Sequence, residues 1–157
     1  MAFYGLELFD KSDWKKDVMI GLGVGGLFII GNVLTPAITI GMPSLSLAIG
    51  DVSRFLVIGL LAPVAEESMF RGALSGFLKG LKLGLLPIAL ITAAAFTVYH
   101  LTAYGASLAV AGAYLGAFIF GLLAFALVQW RKSLVPAMIL HAIFNIYLLT
   151  KMAVVIG

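Results

Sequence analysis

The chain has 157 residues, of which 62% are hydrophobic and only 11% are charged, whereas a soluble domain carries about 25% charged residues. So few charged side chains cannot form the water-exposed surface of a globular domain of this size. The composition therefore excludes a water-soluble domain and predicts an integral membrane protein. The net charge of +3 lies mostly outside the apolar runs, which indicates orientation in a membrane rather than a surface for nucleic acid. The absence of cysteine excludes disulfides and thiolate metal sites.

Residues 1–17 come first and mix apolar side chains with charges, which predicts a short segment at the membrane interface. The remainder, residues 18–157, is predicted to form a single transmembrane domain. A helix needs about 20 apolar residues to span a bilayer, and five stretches qualify. They are residues 18–40, 52–77, 83–103, 108–130 and 134–155. The sequence therefore predicts an all-α membrane bundle of about five transmembrane helices around a polar cavity.

Basic residues are distributed unevenly between the predicted connections. They are Lys11, Lys15 and Lys16 before the first span, Lys79 and Lys82 after the second, and Arg131 and Lys132 after the fourth. The opposite connections contain only Arg54. By the positive-inside rule, the N-terminus is expected in the cytoplasm and, with five spans, the C-terminus outside. The expected location is the plasma membrane of the cell.

The stretch "GLGVGG", residues 21–26, matches the GxGxxG pattern of dinucleotide-binding loops. No strand is predicted before it, and it lies within a predicted span, so the context that this pattern needs is missing. Small residues inside a membrane helix allow a second helix to approach closely. Helix packing is therefore the better interpretation.

Few strongly polar side chains remain inside the predicted spans. They are Glu66, Glu67, Arg71, His100, His141 and Asn145, with Lys151 near the C-terminal end. An ionisable group at the bilayer centre costs about 2.5–3.5 kcal/mol on insertion scales. These side chains therefore need partners or a water-filled cavity.

The two adjacent glutamates are predicted to differ in role. Glu67 and Arg71 are four residues apart with the acid first, which is the favourable order for an ion pair within a helix. Glu66 points about 100° away around the helix, so it cannot share the arginine equally. We therefore expect Glu67 to be structural and Glu66 to be available for chemistry, although the pair taken alone also fits a purely helix-locking role.

Two further pairs follow on later helices. "FTVYH" places Phe96 and His100 four residues apart, and "HAIFN" does the same for His141 and Asn145, so each pair lies on one helix face. With Glu66, these side chains can converge on one cavity from three helices. They would supply a general base, a second proton-transfer group and hydrogen-bond donors, which acyl cleavage by water requires.

Such convergence sets a condition on the last helix. Counted at ~1.5 Å per residue, His100 lies ~27 Å from Lys82 but His141 only ~13 Å from Lys132. The last helix must therefore tilt or begin late for the two histidines to meet.

A glutamate and two histidines are also the ligands of some catalytic zinc sites. The HExxH motif is absent, and here the ligands would come from three separate helices. The spacing therefore does not support a zinc site but does not exclude one, and no cofactor is expected.

The three motifs together resemble a known family. "EESMFR" fits EExxxR, "FTVYH" fits FxxxH and "HAIFN" fits HxxxN, in that order, and the flanks "APVAEESMFRG" and "SLVPAMILHAIFNI" are similar as well. The sequence resembles the CPBP (Abi) family of intramembrane proteases, which includes the type II CAAX prenyl endopeptidases and bacteriocin-processing members.

The resemblance implies an all-α membrane fold with a conical cavity and a glutamate-dependent peptidase. By it, Glu66 and His100 would activate the attacking water, and His141 and Asn145 would form the oxyanion hole. The site would be supported by Glu67, Arg71 and Phe96. Both metal-dependent and metal-independent mechanisms have been described for the family, and the metal-independent one is favoured here.

The expected partners are membrane lipid and a peptide or lipidated-peptide substrate, with room for a homo-oligomer or a helper subunit. Two functions of other classes remain open. One is a non-catalytic immunity or scaffold protein that keeps the motif residues for folding. The other is a proton or ion carrier that uses Glu66 and the histidines as a relay.

Overall fold

The computed structural model describes residues 2–3, 6–7, 13–34, 55–104 and 111–156. A short antiparallel pair of strands, β1 (Ala2–Phe3) and β2 (Leu6–Glu7), comes first. All other regular structure in the described residues is helical, which agrees with the predicted all-α class. About half of the predicted interfacial segment, Lys11 included, lies outside the described residues, as does Arg54.

Five helices lie where the five apolar stretches were predicted. They are α1 (Trp14–Leu34), α2 (residues 57–80), α3 (Leu85–Tyr104), α4 (Ala111–Arg131) and α5 (Val135–Ile156). Within the described residues, Trp14–Leu34 and Gly112–Arg131 are long and apolar enough to cross a bilayer, and Leu85–His100 and Val135–Thr150 are shorter apolar helices. A membrane bundle is consistent with this architecture, while the number of spans stays a prediction.

Helix α2 is not a uniform α-helix. It alternates wide π-helical turns, Val57–Leu61 and Ser68–Leu74, with the α-helical segments Ala62–Glu67 and Ser75–Gly80. Wide turns inside a helix leave backbone groups without their usual partners and occur often at functional sites. Both glutamates of the motif lie in the α-helical segment between the two wide turns.

Helix α1 packs along α5 through two of its glycines. A Cβ atom on Gly21 would lie 2.7 Å from Cβ of Ile139 and 2.8 Å from the carbonyl oxygen of Pro136, and one on Gly25 would lie 3.2 Å from Ile143. The glycines of the GxGxxG match therefore include a helix-packing position, as predicted. The other faces of α1 expose large apolar side chains such as Met19, Leu22, Leu27 and Leu34, which suits contact with lipid.

The core between α2, α3, α4 and α5 is aromatic. The rings of Phe96 and Phe120 are stacked at 5.7 Å, and Phe70 meets Phe96 edge-on at 5.3 Å. Phe28 of α1 contacts Phe120 edge-on at 5.6 Å. The rings of Phe96 and Phe120 pack beside the buried polar side chains of Arg71 and His141.

The ends of α1 and α4 are joined by ion pairs. Nε of Arg131 donates to Asp17 at 2.6 Å, and its Nη2 donates to Asp13 at 3.2 Å. The start of α1 and the end of α4 therefore lie at the same end of the bundle. Lys79 near the end of α2 and Gln129 near the end of α4 line the same cavity. Helix α2 therefore ends at this end of the bundle as well.

Helix α5 begins inside the bundle. Residues 133–137 are all buried, and Leu134 lies next to Gly72 of α2, where a Cβ atom would be 3.5 Å from Leu134 Cδ1. Gly72 is about two turns from the end of α2. Because α5 begins late, His141 lies at the level of the two glutamates, as the predicted meeting of the two histidines requires.

We expect Gly21→Ala to destabilise the protein by about 1–3 kcal/mol, the usual cost of overpacking a tight contact. The new methyl group would approach a backbone carbonyl oxygen of α5, which cannot swing aside as a flexible side chain can. The free energy of unfolding in mixed detergent micelles measures the effect. Gly23→Ala is the matched control, because nothing lies within 4 Å of a Cβ atom there; an equal loss in both variants would contradict the assigned contact.

Candidate active site

The predicted ion pair on α2 is present and completely buried. Nη1 of Arg71 donates to Oε1 of Glu67 at 3.1 Å, and both side chains are 0% exposed. The second arm, Nη2, donates to the carbonyl oxygen of Gly121 on α4 at 3.1 Å. The guanidinium also lies 4.6 Å from the centre of the Phe96 ring, a distance at which a cation and an aromatic face attract each other. Arg71 is therefore held by α2, α3 and α4 together.

Glu67 holds a second partner on α5. The same oxygen, Oε1, lies 2.9 Å from Nδ1 of His141. A carboxylate that pairs with an arginine accepts hydrogen bonds and does not donate them, so the proton of this contact is on Nδ1. The second ring nitrogen of His141, Nε2, is thereby left for the side of the site where Glu66 lies.

Glu66 faces both histidines without bonding directly to either. Its Oε2 is 3.7 Å from Nε2 of His141 and 3.9 Å from Nε2 of His100. Oε2 is buried and has no hydrogen-bond partner among the described residues, although the side chain as a whole is 13% exposed. Distances of this length between polar atoms suit a bridging water molecule.

His100 is oriented by its own helix. Its Nδ1 lies 2.8 Å from the carbonyl oxygen of Phe96, four residues earlier. A carbonyl oxygen can only accept, so Nδ1 carries the proton of this hydrogen bond and, in the neutral ring, Nε2 is an acceptor. In the neutral ring, the nitrogen that faces Glu66 is therefore an acceptor.

Asn145 is placed differently from the other predicted site residues. Its Nδ2 donates to the carbonyl oxygen of Ile58 at 2.9 Å, about two turns before Glu66 on α2. One of its two N–H groups is thus bound to the backbone of α2. Asn145 and His141 together tie the same face of α5 to α2 at two levels.

Two residues of α4 contact the site although neither has a polar side chain that would mark it in the sequence. The Phe120 ring contacts the ring of His141 at 4.9 Å, and Gly121 supplies the carbonyl oxygen for Arg71. A Cβ atom on Gly121 would lie 2.9 Å from Cα of Ala93 and 3.3 Å from Nη2 of Arg71. Gly121 must therefore lack a side chain, and only the three-dimensional packing reveals this.

The structure thus brings Glu66, Glu67, Arg71, Phe96, His100 and His141 together and anchors Asn145 on α2 nearby. The side chain of Lys151 is not among the described ones. No group of three or more histidine, aspartate or glutamate side chains in the described residues is arranged to hold a metal ion. What the cluster does offer is a buried carboxylate oxygen opposite two imidazole nitrogens.

Comparison with known proteins assigns a family to this arrangement. The family model for Rce1-like type II CAAX prenyl endopeptidases matches residues 48–147, well over half of the chain. The chain belongs to this family. No curated protein and no solved structure matches it.

Family membership confirms the resemblance seen in the three motifs and assigns the chain to the CAAX-type intramembrane proteases. The matched range includes α2, α3, α4 and the part of α5 that carries His141 and Asn145, so every site residue falls within it. Helix α1 precedes the match and contributes packing against α5 rather than a polar group to the cluster.

Arg71→Met is expected to destabilise the protein by about 3–5 kcal/mol, because it leaves a buried carboxylate without its charge partner. The double variant Glu67→Gln/Arg71→Met should recover a measurable part of that loss, since no uncompensated charge then remains at this pair. Unfolding in mixed micelles again provides the measurement.

Lys79→Met serves as the control for this prediction, because Lys79 is a cation of the same helix on its exposed end. Its free energy of unfolding should stay near that of the unchanged protein. A double variant no more stable than Arg71→Met alone would contradict the proposed charge balance.

Proposed function

We propose that the protein is an intramembrane endopeptidase in which Glu66 and His100 activate the water that cleaves a peptide bond. The observation that carries this proposal is the placement of Oε2 of Glu66 and Nε2 of His100, which face each other at 3.9 Å. With Glu66 ionised and His100 neutral, both atoms are hydrogen-bond acceptors, and one donor with two hydrogens can bind to both. A water molecule set to one side of the line between them can donate one hydrogen to each.

The reaction follows from this placement. As the water oxygen attacks the carbonyl carbon of the substrate, Glu66 accepts a proton and the new C–O bond forms. The tetrahedral intermediate then collapses, the C–N bond breaks, and the proton passes to the leaving amine. His100, held at Nδ1 by the Phe96 carbonyl, keeps the water oriented during attack. A positioned base of this kind contributes about 10²–10⁴ in rate.

We assign oxyanion stabilisation to His141 and Asn145. Glu67 and Arg71 balance each other, which leaves Glu66 as the unbalanced charge of the buried group. In this role His141 carries a proton on Nε2 as well as on Nδ1. His141 then presents an N–H group, and the second N–H of Asn145 is the other donor; such donors are worth about 10²–10³ in kcat each.

In the proposed setting, the five described helices cross the plasma membrane around the polar cluster, and residues 18–157 form one domain behind an interfacial segment. The ion pairs of Arg131 and the cavity beside Lys79 gather three helix ends at one end of the bundle, where the basic residues are concentrated. The positive-inside rule puts that end, and the N-terminus, in the cytoplasm. The substrate is a peptide or lipidated peptide that reaches the cluster from the membrane.

A non-catalytic scaffold or immunity protein is the main alternative function. It accounts for the buried network of Glu67, Arg71 and His141, which any folded member of the bundle needs. It gives no reason for a second acid, Glu66, whose Oε2 faces Nε2 of His141 at 3.7 Å and Nε2 of His100 at 3.9 Å. This placement favours the enzyme.

Glu66→Gln is expected to lower peptidase activity about 10²–10⁴-fold while leaving thermal stability nearly unchanged, because it removes the base but keeps the shape. The measurement is cleavage of a mixed set of prenylated and unprenylated peptides by the purified protein in nanodiscs. Glu67→Gln is the matched comparison and should lower the melting temperature. Full activity in Glu66→Gln would refute the mechanism, and inactivity of the unchanged protein on every peptide would favour the scaffold.

A chelator distinguishes the proposed metal-free reaction from a zinc-dependent variant that uses Glu66 and the two histidines. We expect activity to change less than twofold after prolonged treatment with 1,10-phenanthroline, since the water is activated by the carboxylate. A zinc peptidase treated in the same nanodisc buffer should lose its activity. Loss of activity here, with recovery on addition of Zn²⁺, would replace the carboxylate mechanism by the zinc one.

A further inference from the structure

One backbone carbonyl of α2 is left without a backbone donor. In the wide turn Val57–Leu61, the N–H of Ala62 donates to Val57, five residues earlier. The next residue in this register, Pro63, would pair with Ile58, but proline has no N–H. The carbonyl oxygen of Ile58 therefore has no helical partner on its C-terminal side.

Asn145 occupies that carbonyl from α5. Its Nδ2 donates to the Ile58 oxygen at 2.9 Å, which satisfies a group that would otherwise cost free energy inside an apolar bundle. This contact and the bond between Glu67 and His141 lie about one turn apart on α5. The missing N–H of Pro63 is thus the reason that the Asn145 amide has an acceptor to itself.

We propose that Pro63 is a positioning residue of the site, which acts by reserving the Ile58 carbonyl for Asn145. With one N–H fixed on that carbonyl, the plane of the amide is set and the direction of its second N–H is set with it. The proposal rests on the proposed function only in giving that second N–H a catalytic task. The hydrogen bond itself can be tested without any activity.

Pro63→Ala introduces a competing donor whichever way the helix responds. If the wide turn persists, the N–H of residue 63 reaches the Ile58 oxygen. If the turn tightens to an α-helix, the N–H of Ala62 reaches it instead. In both cases the Asn145 amide loses sole use of the carbonyl, and its orientation is released.

Pro136→Ala is the matched control for lost packing. Pro136 and Pro63 are both fully buried, so each alanine variant removes the same ring from the interior. Pro136 is the second residue of α5, in the first turn, where backbone N–H groups have no acceptor within the helix. Its replacement therefore adds no competitor for the Ile58 carbonyl.

The chain offers a direct probe, because Asn32 and Asn145 are its two asparagines. Labelling with ¹⁵N-asparagine gives two side-chain NH₂ pairs in an NMR spectrum of the protein in nanodiscs, and Asn145→Ala identifies them by loss of one pair. Asn32 donates to Phe28 at 2.9 Å within α1 and serves as the internal reference. Pro63→Ala should shift the Asn145 pair, while Pro136→Ala should leave both pairs in place.

Activity adds the catalytic part of the test. Pro63→Ala should lower kcat about tenfold, a fraction of the loss expected for a whole oxyanion donor, with little change in KM. In an Asn145→Ala background, Pro63→Ala should have no further effect, because both act through one amide. Pro136→Ala should change kcat by the same factor in both backgrounds.

The outcomes separate the two proposals. An Asn145 pair that stays unshifted in Pro63→Ala, or that moves equally in Pro136→Ala, overturns the assignment of Pro63. A shifted pair together with independent, multiplicative effects on kcat overturns the catalytic route while the hydrogen bond stands. A shifted pair in a protein without peptidase activity retains the positioning contact and removes the proposed enzyme.

Discussion

The structure depends on one oxygen atom, Oε1 of Glu67, which accepts hydrogen bonds from Arg71 of its own helix and from His141 of α5. Through Arg71 the same network reaches the backbone of α4 at Gly121 and the ring of Phe96 on α3. Four helices therefore meet at one buried carboxylate. Because an unpaired charge in an apolar interior costs several kcal/mol, each helix is held in the register that keeps this carboxylate paired, and Glu66 next to it is carried into a fixed position.

That arrangement explains how adjacent glutamates come to have different surroundings. Glu67 is completely buried and pairs with a permanent cation, whereas Oε2 of Glu66 faces the Nε2 atoms of His100 and His141 at distances too long for direct hydrogen bonds. The imidazole of His141 lies between the two carboxylates and binds one with Nδ1. Its Nε2 faces the other. The network of Glu67, Arg71 and His141 thus reaches Glu66 through a histidine as well as through the helix backbone.

Much of this could be predicted from sequence, because ionisable groups are rare in apolar helices and their spacing is informative. The spacing of Glu67 and Arg71 predicted their ion pair, and the apolar stretches predicted the positions of the helices. Depth was harder to predict. Counted along the chain from Lys132, His141 lay too near the start of its helix to meet His100. The late start of α5 beside Gly72 removes this discrepancy. Nothing in the local sequence around Ser133 indicates that a connection is buried, because burial there depends on the other helices.

Three of the contacts that sequence could not supply share a physical cause, which is that their acceptors belong to the main chain. Arg71 is held by the carbonyl of Gly121, His100 by that of Phe96, and Asn145 by that of Ile58. Every residue has such a carbonyl, so its identity carries no signal. What makes a particular carbonyl available is a local departure, such as a missing Cβ that lets α4 approach α3 at Ala93, or a missing N–H at Pro63. Glycine and proline are therefore informative here because of the atoms they lack. The polar side chains of a motif form a site only where a missing Cβ or a missing N–H leaves a main-chain carbonyl that they can bind.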